Sequence, residues 1–236
     1  PGGRLQALRN RGGRPGLGVV SRTQVSFGEV CVGDDSTATV SVTNLTNRPL
    51  VVRALAVPNG FDLISPLPDT LAPDQSRALE VAFAPTQRGP YAGSLELELT
   101  EGTGTAVGTQ GVSIDLSGLG VETDIAALPD TLSFGAVYID STATRQTRLE
   151  NRGNIDAPVE AVLGLDGSAF SAEEVPTSIP DEGERTALFR FAPTEPNRTY
   201  VDTAAVVTSG NCGTDTTRVV LRGSTLPLQA DLVAEA

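Results

Sequence analysis

The 236-residue chain contains no histidine, lysine, tryptophan or methionine, only two cysteines, and 4% aromatic residues. Each absence excludes some chemistry. Without histidine, neither a Ser-His-Asp nor a Cys-His arrangement can be assembled, and imidazole-based zinc sites go with them. Two cysteines cannot supply a four-thiolate metal site. Without lysine there is no Schiff base, no phosphate-loop lysine and no lysine general base. No run of 18 apolar residues occurs, so no segment reads as a direct membrane span. The start lacks Met and a signal-type apolar stretch, as a processed or excised segment would.

What is present points to strands. Sixteen prolines and 25 glycines punctuate short stretches rich in Val, Leu, Ala and Thr, a mix that favours β-structure and tight turns. The net charge of −12 speaks against nucleic-acid binding, which draws affinity from neutralising phosphates with basic residues. The basic charge is unevenly placed. Arg4, Arg9, Arg11, Arg14 and Arg22 all precede the first acidic residue, Glu29, so the first 28 residues carry +5 and the remainder −17 (−12 less 5). Such asymmetry suggests an interacting arm on an acidic body.

The sequence repeats. Val25-Ser26-Phe27-Gly28-Glu29-Val30 returns as Leu132-Ser133-Phe134-Gly135-Ala136-Val137, and Asp35-Ser36-Thr37-Ala38-Thr39 returns as Asp140-Ser141-Thr142-Ala143-Thr144. Asn44 returns as Asn151, Phe83-Ala84-Pro85-Thr86 as Phe191-Ala192-Pro193-Thr194, and Leu116-Ser117-Gly118 as Leu221-Arg222-Gly223. Five anchors in one order, offset by 105 to 108 positions, mean two copies of one domain. The expected division is a flexible Arg/Gly-rich arm at 1–19, domains at 20–120 and 121–224, and an acidic tail at 225–236.

Strict alternation locates the strands of the first copy. Ala38, Val40 and Val42 share one face; so do Leu79, Val81 and Phe83, then Leu95, Leu97 and Leu99, then Val112, Ile114 and Leu116. One dry face and one wet face per strand predict antiparallel sheets packed face to face. With no amphipathic helix in evidence, the fold class is all-β: two tandem immunoglobulin-like sandwiches of about seven strands each.

The anchor pattern, Phe-Gly-x-Val, a strand ending in Asn, Phe-Ala-Pro-Thr and a final Leu-x-Gly, resembles the bacterial choice-of-anchor D repeats. It is also similar to the ASH and major sperm protein domains. That resemblance implies a surface or secreted bacterial protein whose domains act as stalk, spacer or adhesion units, whereas intracellular relatives are scaffolds. It further implies a cysteine just after Phe-Gly-x-Val and another near the last hairpin of the same domain. Here Cys31 fills only the first position and Cys212 only the second, in different copies. An interdomain bond, an intersubunit bond and free thiols therefore all stay open.

The remaining candidates read mostly as architecture. Gly102 to Gly108 has no helix behind it to hold a phosphate and reads as a hairpin loop. The carboxylate pairs Asp34-Asp35, Glu173-Glu174 and Asp181-Glu182, with Glu122 and Asp124, lack a calcium-loop pattern and read as acidic turns, so no metal or cofactor and no catalysis is expected. Phe83 and Phe191 should fill the cores, with Pro85 and Pro193 ending their strands, and Gly28 and Gly135 should mark bulges. Leu188 and Val220 fall opposite Phe189, Phe191, Val219 and Leu221 and form a candidate contact surface. Arg4, Arg9, Arg11, Arg14, Leu17, Val19 and Val20 form a candidate assembly arm that could pair with a neighbour's sheet edge and give a homo-oligomer. The expected function is a non-catalytic structural or adhesive module outside the cytoplasm, its partners other protein subunits or surface proteins. A subunit of an ordered filament, sheath or envelope assembly, held by the arm, is the alternative. A glycan-binding module is a third reading, weakened by having only Tyr91, Tyr138 and Tyr200 and no Trp as platforms.

Overall fold

Alternating apolar residues, ended by Pro, Gly and Asx turns, close into four sheets in the computed structural model, which describes residues 16–102 and 108–226. The chain divides into two units, Pro1–Val121 and Glu122–Ala236. The first unit holds β1 (Gly18–Val20), β2 (Gln24–Cys31), β3 (Ser36–Asn44), β4 (Leu50–Ala56), β5 (Phe61–Leu63), β6 (Asp69–Leu71), β7 (Ser76–Phe83), β8 (Gly89–Glu101) and β9 (Gly108–Val121). They form one sheet in the order β1-β3-β7-β5 and another in the order β2-β9-β8-β4-β6.

The second unit repeats the plan with β10 (Ile125–Leu128), β11 (Thr131–Val137), β12 (Ala143–Asn151), β13 (Ala157–Leu163), β14 (Phe170–Glu174), β15 (Ser178–Ile179), β16 (Glu184–Phe191), β17 (Thr199–Gly210) and β18 (Gly213–Thr225). Its sheets run β10-β12-β16-β14 and β11-β18-β17-β13-β15. The all-β architecture of two sandwiches is as the alternation indicates, and no described residue is helical. It is finer in two respects. Each unit has nine strands, because strands of two or three residues such as β5, β6 and β15 are too short to alternate visibly. Each also contains one parallel pair, β2 with β9 and β11 with β18. The first strand of each copy causes this. It pairs antiparallel in the smaller sheet, as β1 on β3 and β10 on β12, then continues in the same direction to the edge of the larger sheet.

In the first core, Val40, Val42, Leu79, Val81, Leu95, Leu97, Leu99 and Ile114 are fully buried. Eight of the ten aromatics gather in one place per copy, four in each. Phe83 stacks on Phe61 at 5.0 Å between centroids, with Phe27 and Tyr91 at its flanks; Phe191 stacks on Phe170 at 4.7 Å, with Phe134 and Tyr200 in the matching places. This explains the glycine of the last anchor. A Cβ on Gly118 would lie 2.5 Å from the Phe83 ring, and one on Gly223 would lie 2.6 Å from Phe191. Gly28 and Gly135 sit at φ +68° and +72°, where each parallel ladder skips a residue, so both are the expected bulges.

Candidate interaction surfaces

Asn44 and Asn151 are buried, and their side chains bind loops. The Asn44 Nδ2 donates to the carbonyls of Arg48, Leu71 and Ala72 at 2.8, 3.1 and 3.0 Å, while its Oδ1 accepts from the Thr46 N–H and hydroxyl, both at 2.9 Å. Asn151 Nδ2 donates to Ile155 and Ile179 at 2.8 and 3.3 Å, and its Oδ1 accepts from Gly153 N–H at 2.9 Å. Both asparagines are structural ties, fully satisfied, with nothing left for a ligand.

The candidate arm divides in the structure. Arg4, Arg9, Arg11 and Arg14 lie outside the described residues. Val19 and Val20 are buried in β1, paired with Thr43 and Val42 of their own sandwich, and Leu17 packs on the same core. The last part of the arm is thus an edge strand of its own sandwich, with Val19 and Val20 buried and Leu17 partly buried within that domain. A residue that the alternation does not single out holds it there. Gln110 is buried; its Oε1 accepts from the N–H groups of Leu17 (2.6 Å) and Gly18 (3.2 Å), and its Nε2 donates to the Gly18 carbonyl at 3.2 Å. The only signal in sequence is a long polar side chain at an inward position of β9, between Val112 and the hairpin.

Leu188 and Val220 do not form one surface. Leu188 lies on β16, beside Gln146 and Glu174, and faces outward from the smaller sheet of the second sandwich. Val220 lies on β18, between Thr131 and Thr203, and faces outward from the larger sheet on the other side. Neither cysteine is a free thiol. Cys31, at the end of β2, and Cys212, in the turn between β17 and β18, are both disulfide-bonded.

Among the described residues no three His, Cys, Asp or Glu side chains converge as a metal site would require. The loop from Gly102 to Gly108 lies mostly outside the described residues, as does the tail from 227. Two depressions stand out. One, of about 590 Å³ on the larger sheet of the first sandwich, is lined by Gln24, Ser26, Gly93, Asp115 and Ser117. The other, of about 480 Å³ in the second sandwich, is bordered by Ser168, Glu195, Arg198 and Tyr200. Arg198 lies over the Tyr200 ring at 5.1 Å and donates to Glu195. That hydrogen bond and the carboxylate's charge raise the Arg198 pKa above its ordinary value, so this exposed cation stays charged and is already paired.

Residues 19–121 match the family described as Cep192 domain 4. That match spans the first sandwich and less than half of the chain. No curated protein matches the chain significantly. Among solved structures the chain is similar to a protein of unknown function from Porphyromonas gingivalis W83, at 15% identity over 89% of this chain and 100% of that one, TM-score 0.39. It is similar to the ASH/PapD-like domain 7 of human CEP192, at 16% identity over 52% and 100%, TM-score 0.39. It is also similar to a Salmonella enterica SafA pilin complex with the SafB chaperone, at 12% identity over 86% and 94%, TM-score 0.36. At such scores these three carry no argument about what the chain does. No described helix is long and apolar enough to cross a membrane.

Proposed function

We propose that this chain is a non-catalytic protein-interaction module of an extracytoplasmic bacterial protein, a spacer or adhesive unit built from two rigid sandwiches. The observation that carries the compartment is the oxidised state of Cys31 and Cys212. Disulfides persist in secreted, periplasmic and surface proteins and are rare in reducing cytosol. The module reading is supported by how the side chains are used. The phenylalanines fill cores, the buried asparagines tie loops, and the described ion pairs are exposed.

The glycan-binding alternative loses ground because Tyr91 and Tyr200 pack against Phe83 and Phe191, leaving Tyr138 as the one well exposed tyrosine at 58%. The assembly alternative loses Leu17, Val19 and Val20 as donors to a neighbour, since they complete their own sandwich. The test is maleimide-polyethylene-glycol labelling of protein isolated from its native compartment and denatured without reductant. No adduct is expected before reduction and two adducts after it; two adducts before reduction would remove the extracytoplasmic reading.

A further inference from the structure

The larger sheets of the two sandwiches have equivalent outer faces, and the ladders align them row by row. In the first sandwich one row reads Arg53, Glu98, Gly111 across β4, β8 and β9, and the next reads Ala56, Glu96, Ser113. In the second, the same rows read Ala161, Val207, Thr216 and Leu163, Ala205, Arg218 across β13, β17 and β18. The following rows pair Ser94 with Asp115 and Ala92 with Ser117 in the first copy, but Thr203 with Val220 and Val201 with Arg222 in the second. Three carboxylates, set among small residues with Arg53 and the exposed Leu55 on β4 beside them, have become aliphatic side chains, and Arg218 and Arg222 stand where Ser113 and Ser117 were.

The second face is unusual for a solvated surface. Leu163 is 56% exposed and Val201 62%, while the inner face of the same sheet holds Val206, Val219 and Leu221, fully buried. A sheet apolar on both sides expects a layer on each. Among the described residues neither Arg218 nor Arg222 makes an ion pair or a side-chain hydrogen bond. Glu160, at the bulge of β13, accepts a hydrogen bond from Ser209 at the rim, and Asp130 lies at the edge beside Thr131, from whose hydroxyl it accepts.

The first face supplies what the second lacks. Two of its three carboxylates are held in place: Ser113 donates to Glu96 at 2.7 Å, and Ser94 donates to Asp115 at 2.9 Å. Its small residues permit close approach, and the depression beside Asp115 has room for a protruding aliphatic side chain. We infer that the apolar, arginine-bearing face of the second sandwich docks on the acidic face of the first sandwich of another copy of this chain. The inference rests on the interaction-module reading and names its partner.

Two different patches in contact make a heterologous interface, which propagates from copy to copy instead of stopping at a dimer. Three strands and four rows span roughly 10 by 20 Å, below the ~800 Å² per partner of a stable complex. Association should therefore be weak per contact and fall as salt screens the arginines.

The experiment is sedimentation velocity on the whole chain from low micromolar to about 1 mM, a range suited to a contact of this size. The wild type should rise above its monomer mass of 24.4 kDa with concentration and return towards it at high salt. Arg218→Glu with Arg222→Glu should hold the chain at monomer mass, as should Glu96→Arg with Glu98→Arg. An equimolar mixture of those two variants should associate again, because each reversed face meets a reversed partner. A wild type that stays monomeric throughout overturns the inference but leaves docking on a different protein, and with it the module reading, standing. Association that survives in both variants overturns it as well.

Discussion

Where Phe83 lies beneath Gly118 in the first sandwich, Phe191 lies beneath Gly223 in the second; where Glu98 faces Gly111 in the first, Val207 faces Thr216 in the second. The first comparison joins positions that packing dictates. A ring closing a core and the glycine that admits it must change together or not at all, because interiors are packed as densely as crystals. The second joins positions facing outward, where the sandwich does not specify the residue and any departure between copies records what the surface meets. The two sandwiches are one scaffold with two exteriors.

The comparison can be broken at the core first. Phe83→Ala and Phe191→Ala should each cost about 3–5 kcal/mol in the affected sandwich, measured by chemical denaturation, and the two costs should agree. A large difference would mean that the aromatic clusters are alike in geometry but not in energetics. Next come Gly118→Ala and Gly223→Ala, each expected to lose about 1–3 kcal/mol through overpacking, seen as a lower melting temperature in calorimetry. Unchanged melting would show that the rings can move aside. Asn44→Ala and Asn151→Ala should cost about 1–3 kcal/mol each, with the larger loss at Asn44 because it makes five hydrogen bonds to Asn151's three. Equal losses would show that the additional bonds, to the Ala72 carbonyl and from the Thr46 hydroxyl, contribute nothing net. The smallest effect belongs to the exteriors. Glu98→Val and Val207→Glu should each shift stability by no more than about 0.5 kcal/mol in urea titrations, and a larger change would place these residues in the folding of their sheets.

The cores were legible from residues alone because burial imposes a period of two that Leu95, Leu97 and Leu99 display without interruption, and because the anchors repeat in order. The bulges were legible too, since a glycine inside a strand pattern weakens the strand and commonly marks a bulge or a tight bend. Direction was not legible. Alternation says which face of Val25 is buried but not that its strand runs parallel to β9. Nor does it say which sheet a residue belongs to, which is why Leu188 and Val220, both outward, proved to be on opposite sides of one sandwich. The fate of Val19 and Val20 was hidden for a related reason. A three-residue strand shows no period, and its anchor, Gln110, lies 92 positions away from Gly18.

The parallel ladders at the ends of each copy have a mechanical meaning. After β1 has paired in the smaller sheet, β2 enters the larger one beside β9, the strand that closes the first sandwich, and the two point the same way, as β11, which follows β10, and β18 do in the second. A pull applied to the two ends of either sandwich draws these strands past each other along their length. The hydrogen bonds between them then share the load at once and fail together, whereas bonds loaded across a hairpin open one after another. Once the short β1 or β10 has yielded, the parallel ladder is the part of each sandwich loaded in shear.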